Sequence, residues 1–233
     1  MVNQEASTRK EHDELTGRFL RILTKPLVKA LVRTSIKPNQ VTIISIIPAL
    51  ASIFFLVKGD KNTLVGALLA FLYIILDATD GQLAREKGLG SSFGKWLDGI
   101  IGFIFVPFMM LAAAIGLQSD TALLVGAVAA LCFPIQFTLV YFFNSEFKKD
   151  EPRIELPALR KWQILRYSYG LALFFPFLLL GAILNKTIIV LFFFATVGHA
   201  FWMLLLLIQF FDLKKRGKKI GKKIGTQIIS PKV

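Results

Sequence analysis

Residues 76–103 read "LDATDGQLAREKGLGSSFGKWLDGIIGF", and they interrupt a chain that is otherwise largely apolar. Upstream runs "TLVGALLAFLYIIL" (63–76), and downstream runs "FIFVPFMMLAAAIGL" (103–117). Asp77, Asp80, Arg85, Lys95 and Asp98 therefore stand where two hydrophobic stretches meet a polar turn. A charged side chain at the centre of a membrane helix costs about 2.5–3.5 kcal/mol on insertion-based scales. Three aspartates near two span ends need compensation, and their spacing says what kind.

Working outward, hydrophobic residues make up 55% of the 233, with 22 Phe, and apolar runs near twenty residues recur. Such runs predict membrane-spanning helices, since about 20 residues cross the hydrocarbon core. Backbone polar groups in lipid must be satisfied within their own segment, so the runs are helical. The expected fold is an all-α integral membrane protein with six transmembrane helices, at about 40–57, 62–84, 96–117, 121–143, 164–184 and 187–211. The second departs from plain hydropathy: its apolar part ends at Leu76, while the helical pattern continues through Ala84.

The formal charge is +13, and 25 of the 28 Lys and Arg fall on one side of this topology. Only Lys58, Lys61 and Lys186 face the other side. The positive-inside rule then puts both termini and the acidic segment in the cytoplasm, in a cell membrane. The basic balance is a topology signal with some attraction to anionic lipid. It does not indicate nucleic acid, because "KKRGKKIGKKIG" follows a span directly and carries no aromatic stacking platform. The segment "LTGRFLRILTKPLVKALVRTSI" (15–36) alternates apolar and basic residues at helical spacing, which predicts an amphipathic helix on the membrane surface. The polar, charged N-terminus predicts no cleavable signal peptide. Cys132 lies alone in an apolar run and reads as a packing residue. The organisation is thus a cytoplasmic N-terminal segment (1–39), a six-helix membrane domain (40–211) and a basic cytoplasmic tail (212–233).

Asp77, Asp80, Gly81 and Ala84 fall at i, i+3, i+4 and i+7, so they share one helical face. Gly94 and Asp98 share a face of the next helix, and the turn "REKGLGSS" (85–92) lets the two faces oppose. Three carboxylates brought together repel unless a cation neutralises them. Hard oxygen donors select Mg²⁺, Mn²⁺ or Ca²⁺. The small residues on the same faces leave room beside the ion for something flat or bulky, such as a phosphate or a nucleotide. A plainer alternative pairs Asp77 and Asp98 with Arg85 and Lys95 at the helix ends, but salt bridges do not require small residues at fixed offsets. A cation transporter is a further alternative. It calls for broken helices or inverted repeats, which the sequence lacks.

These residues carry a resemblance. "D77-A-T-D80-G81-Q-L-A84-R85", eight residues, then "G94-K-W-L-D98" resembles the signature of the CDP-alcohol phosphotransferases, D-x2-D-G-x2-A-R-x8-G-x3-D-x3-D, at every fixed position but the last. "IKPNQVT" (36–42) is similar to the Pro-Asn entry to the first span in that family. The resemblance implies transfer of a phosphoalcohol from a CDP-alcohol to a second alcohol with release of CMP, commonly in lipid head-group synthesis. It implies that Asp77, Asp80 and Asp98 hold one or two divalent metals, Mg²⁺ or Mn²⁺. It implies that Gly81, Ala84 and Gly94 shape the cytidine cavity and that Arg85 binds the donor or braces the acids. It also implies a homodimer, for which the small residues of "LVGAVAAL" (124–131) offer a contact surface.

The family's final Asp falls at Gly102. In the family that acid is the expected general base, and glycine cannot take a proton. Residues 99–107, "GIIGFIFVP", hold no titratable substitute. Three expectations follow: a transferase using another base, such as the acceptor's own phosphate or a metal-bound hydroxide; a member that binds a CDP-alcohol with little turnover; or a substrate that needs no strong base. His199, in the last span, is a conceivable substitute base but reads better as a hydrogen-bonding residue between helices. Arg153, Arg160, Lys161 and Arg166 are candidates for an anion site taking a phosphorylated alcohol acceptor, or equally plain positive-inside anchors.

Overall fold

Proline sets where the first span begins. Pro38 stands in the opening turn of a helix, where a missing N–H removes no hydrogen bond, and the Gln40 side chain accepts from the Lys37 N–H at 2.8 Å. The computed structural model of the chain describes residues 15–147, 171–211, 213 and 214. Among these, every regular element is helical. They are α1 (Leu15–Val32), α2 (Pro38–Lys58), α3 (Lys61–Glu86), α4 (Ser92–Gly116), α5 (Asp120–Phe147), α6 (Phe174–Ile183, preceded by a 3₁₀ turn at Leu171–Leu173) and α7 (Thr187–Phe211, with a π turn at Phe194–Gly198).

Five helices are long and apolar enough to cross a membrane: Pro38–Lys58, Lys61–Glu86, Ser92–Gly116, Asp120–Phe143 and Thr187–Phe211. They coincide with five of the six expected spans to within a few residues. Of the remaining one, expected at 164–184, only 171–184 is described, and its α-helix is the ten-residue α6. Outward positions carry large apolar side chains, among them Ile47, Phe54, Leu68, Phe108, Leu124 and Leu207. A water-soluble protein rarely exposes so continuous an apolar surface, so the chain is a multi-pass membrane protein.

At 1.5 Å per residue, the 26 residues of α3 run about 39 Å, some two turns more than the ~30 Å hydrocarbon core. The helix continues past the apolar stretch through Ala84, as its sequence pattern predicts, and ends at Glu86. Asp77 and Asp80 therefore lie in the last three turns of α3, beyond its apolar stretch. Asp98 lies in the second turn of α4, at the same end.

Packing is organised around α2, which lies against both α3 and α4, while α3 and α4 touch each other only sparsely. At the end remote from the acids, α2 and α4 close tightly: a Cβ on Gly59 would stand 2.0 Å from Gly116 O. Gly59 also turns the chain with φ +68, a conformation few other residues adopt freely. Ser52 Oγ donates to Gly66 O at 2.8 Å, joining α2 to α3. The core is aromatic and sulfur-rich, with Tyr73, Phe133, Phe174, Phe175, Phe194, Met109 and Met110 fully enclosed.

α1 is amphipathic as expected, and part of its inner face is taken by protein. Leu20, Thr24 and Val28, one turn apart, are buried, while Phe19, Ile22 and Leu23 stay exposed. α1 packs on α3, and Gln82 Nε2 donates to Thr24 Oγ1. Lys87 Nζ donates to Thr34 O and Ile36 O at 2.7 and 2.8 Å, tying the α1–α2 connection to the end of α3.

Candidate active site

The acidic stretch of α3 is regular helix despite its threonine and glycine. Thr79 Oγ1 bonds back to Ile75 O at 2.6 Å and Gln82 Nε2 to Ala78 O at 3.1 Å, so these polar groups are satisfied within the helix. A mid-helix glycine costs about 1 kcal/mol relative to alanine. At Gly81 that cost buys open space: a Cβ there would find nothing nearer than Arg85 Nη1 at 3.8 Å.

The carboxyl groups of Asp77 and Asp98 face each other between α3 and α4, close enough to share a proton. Asp80 is buried, and one of its oxygens accepts from Thr42 Oγ1 of α2. It is close enough to act on Asp77 through space. Arg85 faces this group and attracts both Asp80 and Asp98; Lys95 is exposed. Tyr73, one turn deeper than Asp77, directs its hydroxyl to Asp77 Oδ1 at 3.5 Å.

Two acids that touch must share a proton or a cation. All the donors are hard oxygens, which suits Mg²⁺ or Mn²⁺. Among the described residues no three His, Cys, Asp or Glu side chains are gathered tightly enough to hold one ion as they stand. The fold thus brings Asp77 and Asp98 together, with an oxygen of Asp80 taken by Thr42.

Gly94 has a different setting from Gly81. A Cβ there would stand 2.9 Å from Asn39 Oδ1 and 3.1 Å from Ser91 Oγ, the N-cap of α4. The glycine lets the start of α2 approach the start of α4. Ala84 is half-buried on the α3 face that carries Asp77, Asp80 and Gly81. Gly102 is buried one turn beyond Asp98. Arg153, Arg160, Lys161 and Arg166 lie outside the described residues. His199 lies elsewhere, on the α5–α7 seam: Trp202 Nε1 donates to its Nδ1 at 2.8 Å, so Nε2 carries the hydrogen that Val128 O accepts at 2.8 Å.

Sequence reasoning took "IKPNQVT" only as an entry to the first span and missed Asn39 and Thr42 as members of the site. A signal was present, since these two polar residues fall at i and i+3 and so share a face of α2.

Known proteins share this stretch. Phosphatidylinositol phosphate synthase of Mycobacterium marinum is 36% identical over 80 residues, 34% of this chain and 33% of the relative. Archaetidylinositol phosphate synthase of Pyrococcus horikoshii is 36% identical over 89 residues, 38% of this chain and 46% of the relative. CDP-diacylglycerol–serine O-phosphatidyltransferase of Mycobacterium leprae is 30% identical over 115 residues, 48% of this chain and 36% of the relative. These matches span between a third and a half of the relatives' length. The model of the CDP-alcohol phosphatidyltransferase family, whose members are generally dependent on divalent metal, matches residues 35–202, from the α1–α2 connection into α7. With its signature acids meeting between α3 and α4 inside that matched region, the chain belongs to the CDP-alcohol phosphatidyltransferase family.

Proposed function

We propose that this protein transfers a phosphatidyl-type group from a CDP-alcohol to an alcohol acceptor, releasing CMP, in phospholipid head-group synthesis. The observation that carries this reading is the meeting of Asp77 and Asp98 beside the open flank of Gly81 and the Arg85 guanidinium. Asp77 and Asp98, with Asp80 adjoining, would hold Mg²⁺ or Mn²⁺. Bound there, the ion supplies charge neutralisation for the donor pyrophosphate and for the departing CMP. Arg85 adds a fixed positive charge for the donor phosphates. Gly81, with Ala84 on the same face, leaves space for the cytidine, and Gly94 draws the polar start of α2 up to the same end. In the transfer, the acceptor oxygen forms a bond to phosphorus, the bond from phosphorus to the CMP oxygen breaks, and the acceptor hydroxyl gives up its proton.

Gly102 cannot take that proton, so the acceptor's own phosphate is the nearest chemical substitute. Two relatives are named as inositol phosphate lipid synthases, which favours a phosphorylated alcohol such as inositol phosphate as acceptor. Arg153, Arg160, Lys161 and Arg166 are the cations we assign to it. From the distribution of Lys and Arg we expect the acids on the cytoplasmic side of the cell membrane, with the membrane domain at 40–211 between cytoplasmic flanks, and we expect a homodimer. A second reading, a member that binds the donor but turns it over slowly, rests on the buried Gly102 alone.

The test is CMP release by the purified chain in lipid nanodiscs with CDP-diacylglycerol, Mg²⁺ or Mn²⁺, and a panel comprising inositol phosphate, glycerol phosphate, inositol and serine. Release with one acceptor, lost on chelation, is expected. Absence of both CMP release and metal-dependent CDP binding would overturn the transferase reading, whereas cation flux in liposomes indifferent to cytidine nucleotides would favour a transporter.

A further inference from the structure

Tyr73 is a polar residue in a span that composition alone would assign to the apolar core. Its side chain is fully buried. The ring is held from two sides, by Phe105 of α4 at 6.3 Å between centroids and by Phe175 of α6 at 5.6 Å. A buried phenol needs a hydrogen-bond partner, because an unpaired hydroxyl in an apolar setting is costly. The described partner is Asp77 Oδ1, at 3.5 Å.

The register of the two helices puts Tyr73 at the depth of the α4 turn that follows Asp98. α3 and α4 run antiparallel, joined by a short turn, and Asp77 meets Asp98. One turn deeper on α3 is Tyr73, and one turn deeper on α4 is Gly102. Gly102 is buried although it has no side chain, so neighbouring groups close over it. The contact of Tyr73 with Phe105, three residues further along α4, agrees with that register.

We propose that Tyr73 is a positioning residue that holds the Asp77 carboxyl turned toward Asp98. The hydroxyl donates to one Asp77 oxygen and leaves the other for the partner acid and a cation. Side-chain hydrogen bonds of this kind restrict the rotamer and orientation of a ligating carboxylate. The assignment rests on the metal role given above to Asp77.

The experiment measures Mn²⁺ affinity by electron paramagnetic resonance, and melting temperature, for the full chain in nanodiscs and for Tyr73→Phe, Phe105→Leu and Asp77→Asn. Tyr73→Phe keeps the ring and removes only the hydroxyl. It is expected to weaken Mn²⁺ binding about tenfold, the low end of what such supporting bonds contribute, with the melting temperature unchanged. Phe105→Leu loosens the ring while keeping the hydroxyl, and is expected to weaken binding by a smaller factor. If Tyr73→Phe does not fold, Phe105→Leu decides: unaltered Mn²⁺ affinity in that variant overturns the proposal. Unaltered affinity in Tyr73→Phe, with binding lost in Asp77→Asn, shows that Tyr73 only packs and leaves the metal role of Asp77 intact. Unaltered affinity in Asp77→Asn overturns both.

Discussion

The polar groups at the acidic end and those on the α5–α7 seam are handled in opposite ways. On the seam, polar side chains mostly turn to backbone or to each other: His199 to Val128 O, Trp202 to His199, and Gln209 to Leu139 O at 3.4 Å. The exception among described residues is Gln136 Oε1, buried without a partner. Such contacts join helices in lipid at modest gain. At the acidic end, like meets like, Asp77 against Asp98 with Asp80 beside them, and Gly81 keeps a flank open where any side chain could pack. A pair of acids in contact is not a device for holding helices together. The difference separates polar residues satisfied within the fold from acids set against one another with open space beside them.

The largest effect expected is at Gly102. With an acceptor that carries no phosphate to take the proton, replacing it by aspartate puts a carboxylate one turn beyond Asp98, and CMP release should rise by about 10²–10⁴, the usual worth of a general base. A native chain that is already fast, with Gly102→Asp no faster, would mean that another proton acceptor suffices. Asp98→Ala leaves Asp77 without its partner and should lower CMP release by at least about 10²–10³, as loss of one electrostatic contributor does. Retention of full activity would reduce the acidic end to a structural feature like the seam.

The two glycines sharpen the contrast further. A Cβ at position 81 meets only the Arg85 side chain, so Gly81→Leu should abolish CDP binding by calorimetry with little change in melting temperature. Gly94→Leu must displace Asn39 and Ser91, and should cost about 1–3 kcal/mol of stability as an overpacked contact does. Equal melting temperatures for the two would contradict the close α2–α4 approach. The smallest effect belongs to the seam: His199→Ala should leave CMP release unchanged and cost about 0.6 kcal/mol of stability, typical of hydrogen bonds between membrane helices. Loss of activity with unchanged stability would move His199 into the chemistry.

Much of this was legible along the chain because it is local. Apolar run length determined five described spans, and helical period put Asp77, Asp80, Gly81 and Ala84 on one face before any packing was known. The absence of a base at position 102 is likewise a fact of sequence. Which acids touch was not legible. Spacing treated Asp77, Asp80 and Asp98 alike, whereas the fold pairs Asp77 with Asp98 and gives Asp80 to Thr42. Gly94 read as a pocket wall until α2 brought Asn39 against it, and Tyr73 read as one more apolar-span residue until Phe105 and Phe175 aimed it. All three depend on how α2 lies between α3 and α4 and on where α6 packs. Side-chain period sets which face a helix presents. The crossing angle and the interlock of ridges between distant segments set what that face meets, and only the tertiary structure decides those.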